Sequence, residues 1–139
     1  MSIEAKEREL VEEFSQFDDW MDKYELIIDL GKDLPALDEK YKTPENIIKG
    51  CQSTVWLHAA LQDGRVIFTG AADSLIAKGI VAMLVRVLSD EKPQDIMDAK
   101  LGFIAELGLQ EHLSPTRSNG LVAMLKQMKM YAIGFKMAA

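Results

Sequence analysis

A single sulfur nucleophile stands in residues 46–57. There Gly50-Cys51-Gln52-Ser53-Thr54 separates the short apolar pair Ile47-Ile48 from a β-type run that begins at Val55. Cys51 is the only cysteine in the chain. Gly50 and Ser53 are turn-forming residues, and a glycine directly before the cysteine opens backbone conformations that other residues resist. A thiol on a bend between two strands is suited to nucleophilic sulfur chemistry, which requires the thiolate. The residues alone leave a second reading beside that one. A lone cysteine is often a small buried hydrophobe, and no base stands next to this one. Gln52 adds a side-chain donor beside the sulfur.

Four other residues could take part. His58 falls in the run after Cys51, on the strand face opposite Val55 and Leu57, and reads as a surface or half-buried histidine. His112 lies between Glu111 and Leu113, so only folding could bring it to the thiol. A Cys-His hydrolase would need that approach and oxyanion donors as well. Arg117 falls in the first turn of the last expected helix, where the helix dipole disfavours a cation by roughly a few tenths of a kcal/mol. A bound anion or an acidic partner would offset that cost, and a solvated arginine is the alternative. Asp73 reads as a helix cap, with a partner contact as the alternative. One cysteine and two histidines fall short of a self-contained zinc or iron–sulfur site.

The elements that must position these groups follow from periodicity and turn chemistry. Ile3, Leu10, Val11, Phe14 and Phe17 recur at helical spacing, which predicts a helix over residues 3–16 capped by Ser2. Asp18-Asp19 starts a second helix marked by Trp20, Met21, Tyr24, Ile27 and Ile28, which Gly31 can terminate. The aromatic stripe Phe14, Phe17, Trp20, Tyr24 reads as core packing of this helix pair. Residues 32–44 read as an extended connection, because Leu34-Pro35 and Thr43-Pro44 disfavour helix. A short strand is expected over residues 45–49. Asp63-Gly64 between two β-type runs predicts a two-residue hairpin that pairs Gln62 with Arg65. The register then sets Leu61, Ala59 and Leu57 against Val66, Phe68 and Gly70 on one side, and Trp56 and His58 on the other.

Asp73 or Ser74 caps a helix that is apolar nearly all round, the mark of a central element. Gly79 inside it predicts close backbone approach to the sheet. Short helices are expected near Pro93 and over residues 103–107, stopping at Gly108. Ser114-Pro115 starts a long last helix lined by Leu121, Met124, Leu125, Met128 and Tyr131. A helix pair, a small antiparallel sheet and then several helices make an α+β fold.

The 139 residues suffice for one domain, residues 1–139, with a core that needs no disulfides. A formal charge of −6 argues against the phosphate backbone of nucleic acid as a partner. The start Met1-Ser2-Ile3-Glu4 runs straight into charged residues, so no secretory leader is expected. The longest apolar run, residues 79–85, is too short for a bilayer. The expected place is the cytoplasm, with no membrane as partner.

Gly50-Cys51-Gln52-Ser53-Thr54-Val55-Trp56 resembles the signature of the SufE family, sulfur acceptors of SufS-type cysteine desulfurases. The likeness continues in Trp20…Lys23-Tyr24…Ile28-Asp29-Leu30-Gly31, in Pro44…Asn46, in Lys78-Gly79 and in Pro93-Gln94-Asp95-Ile96. It ends in His112-Leu113-Ser114-Pro115-Thr116-Arg117…Gly120. One departure is Ala71-Ala72 before Asp73, where relatives often carry a more polar stretch. The resemblance implies an IscU/SufE-like fold, with a small three-stranded antiparallel sheet packed against helices. It implies that Cys51 accepts persulfide sulfur from a SufS-type or CsdA-type desulfurase, stimulates that enzyme and passes sulfur to an iron–sulfur scaffold complex. Gly50, Gln52 and Ser53 would support the loop, and Asp73, His112 and Arg117 would lie at or near the docking surface. The protein would hold no cofactor of its own and catalyse nothing alone. The competing functions are a cysteine-dependent hydrolase and a non-catalytic docking subunit.

Overall fold

The computed structural model describes residues 1–51 and 53–138. Helix α1 (Ile3–Ser15) begins where Ser2 Oγ accepts the Ala5 N–H at 3.1 Å, and α2 (Trp20–Lys32) begins where Asp19 accepts the Met21 N–H at 2.9 Å. Both caps satisfy N–H groups that a helix leaves without partners. Strands β1 (Val55–Gln62) and β2 (Arg65–Ala72) form the hairpin in the expected register, from Gln62↔Arg65 to Val55↔Ala72. Asp63 and Gly64 hold φ of 52° and 77°, the left-handed pair that such a tight turn requires. Then follow α3 (Leu75–Leu88), α4 (Pro93–Asp98), α5 (Phe103–Leu107), α6 (Leu109–His112) and α7 (Pro115–Ala138).

The sheet has two strands among the described residues, where three were expected. Pro44 starts a 3₁₀ turn, Pro44–Asn46, so the chain is still turning where the extra strand would begin. What remains of that strand is one bridge, Ile47↔Trp56, in which Ile48 N–H donates to the Val55 carbonyl at 2.8 Å. The far edge of β2 is matched in kind by a single bridge, Val66↔Glu91. Leu61, expected on the apolar side, is exposed because it lies beside the hairpin turn, beyond the helices.

Helix α3 is the centre of the molecule, packed on α2, β2, α1 and α7, and most of it is buried. Two glycines set the α2–α3 crossing. A Cβ on Gly79 would stand 2.1 Å from the Ile27 carbonyl oxygen, and one on Gly31 would stand 2.9 Å from the Gly79 nitrogen. Gly79 therefore serves close approach to α2, not to the sheet, and Gly31 does not end α2, which runs on to Lys32. The approach to the sheet is served by Gly70, where a Cβ would stand 2.8 Å from Val81 Cγ1. No helix of the described residues is long and apolar enough to cross a membrane.

Candidate functional site

Cys51 sits on a short loop whose two ends meet at the Ile48–Val55 hydrogen bond. Gly50 before it takes φ 96°, a conformation that side-chain-bearing residues avoid. This turn aims the thiol inward, over α7. The Cys51 thiol donates to the Gly120 carbonyl oxygen at 3.7 Å and lies over a small cavity of about 10 Å³, room for about one water-sized atom. Val55, Ala77, Ile80, Gly120 and Met124 line it with apolar surface, and Ser53, Thr116 and Arg117 supply its polar groups.

The loop is fastened to the start of α3 by side chains. Asp73 accepts the Thr54 N–H at 3.0 Å, while its own N–H donates to the Thr54 carbonyl at 3.1 Å. Next to this two-way clamp, Ser53 Oγ and Ser74 Oγ are hydrogen-bonded at 3.0 Å. Arg117 then reaches across from the first turn of α7 and donates to Ser74 Oγ at 3.0 Å and Ser53 Oγ at 3.5 Å. Ser114 caps that turn by accepting the Arg117 N–H at 3.3 Å. No carboxylate pairs with Arg117 among the described residues. Its charge at a helix start is met by neutral hydroxyls, which leaves the guanidinium able to take an anion.

The structure thus gathers Gly50, Cys51, Ser53, Asp73 and Arg117 around one loop. Gln52 lies outside the described residues. His112 goes elsewhere: its ring stacks on Trp20 with centroids 4.1 Å apart, its Nδ1 is 3.0 Å from the Gly108 carbonyl, and its own carbonyl accepts the Tyr24 hydroxyl. Trp20 and Tyr24 are only partly buried and hold this corner, so the aromatic stripe is split; Phe14 is buried and Phe17 is 37% exposed. His58 stacks on Tyr41, 3.6 Å between centroids, on the outer face of the sheet. Burial, and then the nearby Lys40 charge, pull its pKa down. Neither histidine lines the Cys51 cavity.

Two residues at the site have a role that the sequence does not announce. Ser74 reads from the sequence as a cap only, yet it also joins Arg117 to Ser53. Gly120 stands against the sulfur. A glycine inside a helix costs about 1 kcal/mol relative to alanine, and Gly120 recurs at i, i+4 and i+8 with buried Met124 and Met128. That pattern was the available signal.

Burial pushes the Cys51 thiol up from its ordinary value. The closed loop therefore holds a proton that an unfolded chain would release near pH ~8.5. As pH rises from that value toward the raised one, the closed state loses stability and the loop opens more readily. Iodoacetamide alkylation of the native protein should accordingly show a midpoint above that of the same chain in denaturant. A native midpoint at or below the denatured one would show that the cavity does not shelter the sulfur. A raised pKa without a neighbouring histidine is the reverse of the activated thiolate of a cysteine hydrolase.

Known proteins are similar to this chain, some in sequence and a solved structure in fold. It is 38% identical over 132 residues to an uncharacterised SufE-like protein of Rhizobium meliloti, covering 91% of this chain and 94% of the relative. It is 40% identical over 132 residues to the Arabidopsis thaliana "SufE-like protein 1, chloroplastic/mitochondrial", covering 94% of this chain and 36% of that longer protein. A solution structure of a hypothetical protein from Thermus thermophilus shares the fold with a TM-score of 0.77 at 20% identity, over 93% of this chain and 94% of that one. The family model for SufE, described as an Fe-S metabolism associated domain, matches residues 8–132, and the chain belongs to the SufE family.

Proposed function

We propose that this protein is a sulfur carrier that takes persulfide sulfur onto Cys51 from a SufS-type or CsdA-type cysteine desulfurase and delivers it to iron–sulfur cluster assembly. The observation that carries this reading is the inward-facing thiol over an apolar cavity with no histidine. Such a site stores a reactive sulfur and does not hydrolyse a substrate. The Cys51 thiolate attacks the terminal sulfur of the donor persulfide, an S–S bond forms to Cys51, and the donor sulfur leaves as its thiolate. A persulfide left in solution is open to reductants and oxidants, so shelter preserves the cargo.

Delivery then requires the loop to turn outward. Among the described residues its fastenings are the side-chain hydrogen bonds of Ser53, Asp73, Ser74 and Arg117 and one backbone bond from Asp73 to Thr54 at the end of the sheet. An acidic group on the desulfurase that draws Arg117 away removes one of them, and docking in this way couples arrival of the donor to exposure of the thiol. Tyr24 and Arg117 line one groove, and Tyr24 and Trp20 hold His112, so this corner extends the docking surface. The chain works as one domain without a cofactor of its own. Its cysteine has to stay reduced to act, which favours the cytoplasm.

Incubation with a pyridoxal-phosphate desulfurase and free cysteine, followed by peptide mass spectrometry, tests the reading. The expected result is one added sulfur on the Cys51 peptide and faster desulfurase turnover. Turnover of esters or amides without a partner, and no added sulfur, would favour the hydrolase instead.

A further inference from the structure

We propose that Gly120 makes the room beside Cys51 that one added sulfur atom occupies, and that the other walls of the cavity hold the cargo to that one atom. The inference deepens the persulfide reading and rests on it. Gly120 is buried in the second turn of α7, and the atoms nearest to a Cβ built there all belong to the cysteine: Sγ at 3.3 Å, Cα at 3.7 Å and Cβ at 3.8 Å. The other glycine of α7, Gly134, has nothing within 4 Å of such a Cβ. The side chain missing at position 120 is thus missing in front of the sulfur.

The size of the cavity gives this gap its meaning. A second sulfur bonded to Sγ lies about 2.05 Å from it and needs about 3.5–4.0 Å from the carbon atoms around it. The cavity of about 10 Å³ beside Sγ takes one such atom. An alanine methyl at position 120 can sit beside the resting thiol with a shift of a few tenths of an ångström, yet it fills the place of the added sulfur. Val55, Ala77, Ile80 and Met124 close the remaining apolar sides, so a third sulfur in the chain has to project out of the cavity. Gly120 is a specificity residue for chain length: the one added sulfur of a persulfide is sheltered, and the outer sulfurs of a longer polysulfide stay open to an attacking thiol or cyanide.

The test needs no partner protein. Inorganic polysulfide loads the protein: the Cys51 thiolate attacks a sulfur of the polysulfide, an S–S bond forms, and the shorter polysulfide leaves with the bonding electron pair. Cyanide then removes terminal sulfur as thiocyanate and restores the Cys51 thiolate, and intact-mass spectrometry follows each species. In the unaltered protein, adducts of two or more sulfurs should be stripped quickly to one, which then persists. Gly120→Ala should lose its single sulfur about tenfold faster, the rate change that goes with about 1.36 kcal/mol of lost protection. Alkylation of its sulfur-free thiol should stay within about twofold of normal, because the closed loop survives. Equal loss of the single sulfur in both proteins would overturn the proposal. Ile80→Val, which removes one methyl from another wall of the cavity, should prolong the two-sulfur adduct, and an unchanged lifetime would also count against it. These results are independent of the desulfurase. Failure of the protein to receive sulfur from a desulfurase would sink the relay reading and leave the cavity limit standing.

Discussion

Replacing Cys51 by serine should leave a folded protein that carries no sulfur. A serine oxygen forms no persulfide, and no other cysteine exists to take over. The fold should hardly notice, since Cys51 is only half-buried and makes one long hydrogen bond to Gly120. Changes at such positions cost about 1 kcal/mol or less. Serine also keeps a donor for the Gly120 carbonyl. The check is twofold: a thermal melt matching that of the unaltered protein, and transfer of radiolabelled sulfur from cysteine through the desulfurase to an acceptor. Transfer should fall to the level seen without this protein, while binding to the desulfurase is retained. Undiminished transfer would mean that the protein helps by docking alone.

The largest effect on stability should come from Gly79→Ala. A methyl there would stand 2.1 Å from the Ile27 carbonyl oxygen and 2.6 Å from its Cγ2. The first clash is with backbone, which cannot rotate away as a side chain can, so α2 and α3 must separate. That separation loosens Ile27 and Ile80, both fully buried. Overpacking costs about 1–3 kcal/mol and more where backbone must move, a large part of the roughly 5–15 kcal/mol that holds a domain together. Gly134→Ala is the control. Nothing lies within 4 Å of its added methyl, so helix propensity governs and the change should stabilise by about 0.5–1 kcal/mol. Chemical denaturation of the two variants should move the midpoint in opposite directions. A midpoint for Gly79→Ala equal to that of the unaltered protein would contradict the crossing described above.

What could be read from the sequence was what neighbouring residues decide among themselves. Asp63-Gly64 fixed the hairpin register because the turn demands positive φ at both positions, and Ser2, Asp19 and Ser114 marked helix starts through contacts two or three residues away. Gly79 announced a close approach, but which element approaches is a matter of tertiary packing, and α2 won over the sheet. The extra strand was lost for a local reason: Pro44 suits the first position of a turn as well as it suits an extended chain. At the site, Gly50 and Cys51 were legible as a bend bearing a nucleophile. The Arg117–Ser74–Ser53 chain was not, since hydroxyls distant in sequence carry no pattern that would join them. His112 shows the converse, a conspicuous residue that folding ties to Trp20 and Tyr24 and keeps out of the sulfur cavity.

The Ile48–Val55 hydrogen bond has a bearing on distance. It ties both feet of the loop at one point of the sheet edge, and Cys51 is the third residue along from Ile48. With at most about 3.6 Å per residue of stretched chain, the backbone at Cys51 can travel no farther than about 11 Å from that anchor. For a sulfur relay through Cys51, so short a leash would require the partner proteins themselves to bring the giving and receiving sulfurs almost together. Long excursions have to be supplied by whatever the cysteine meets.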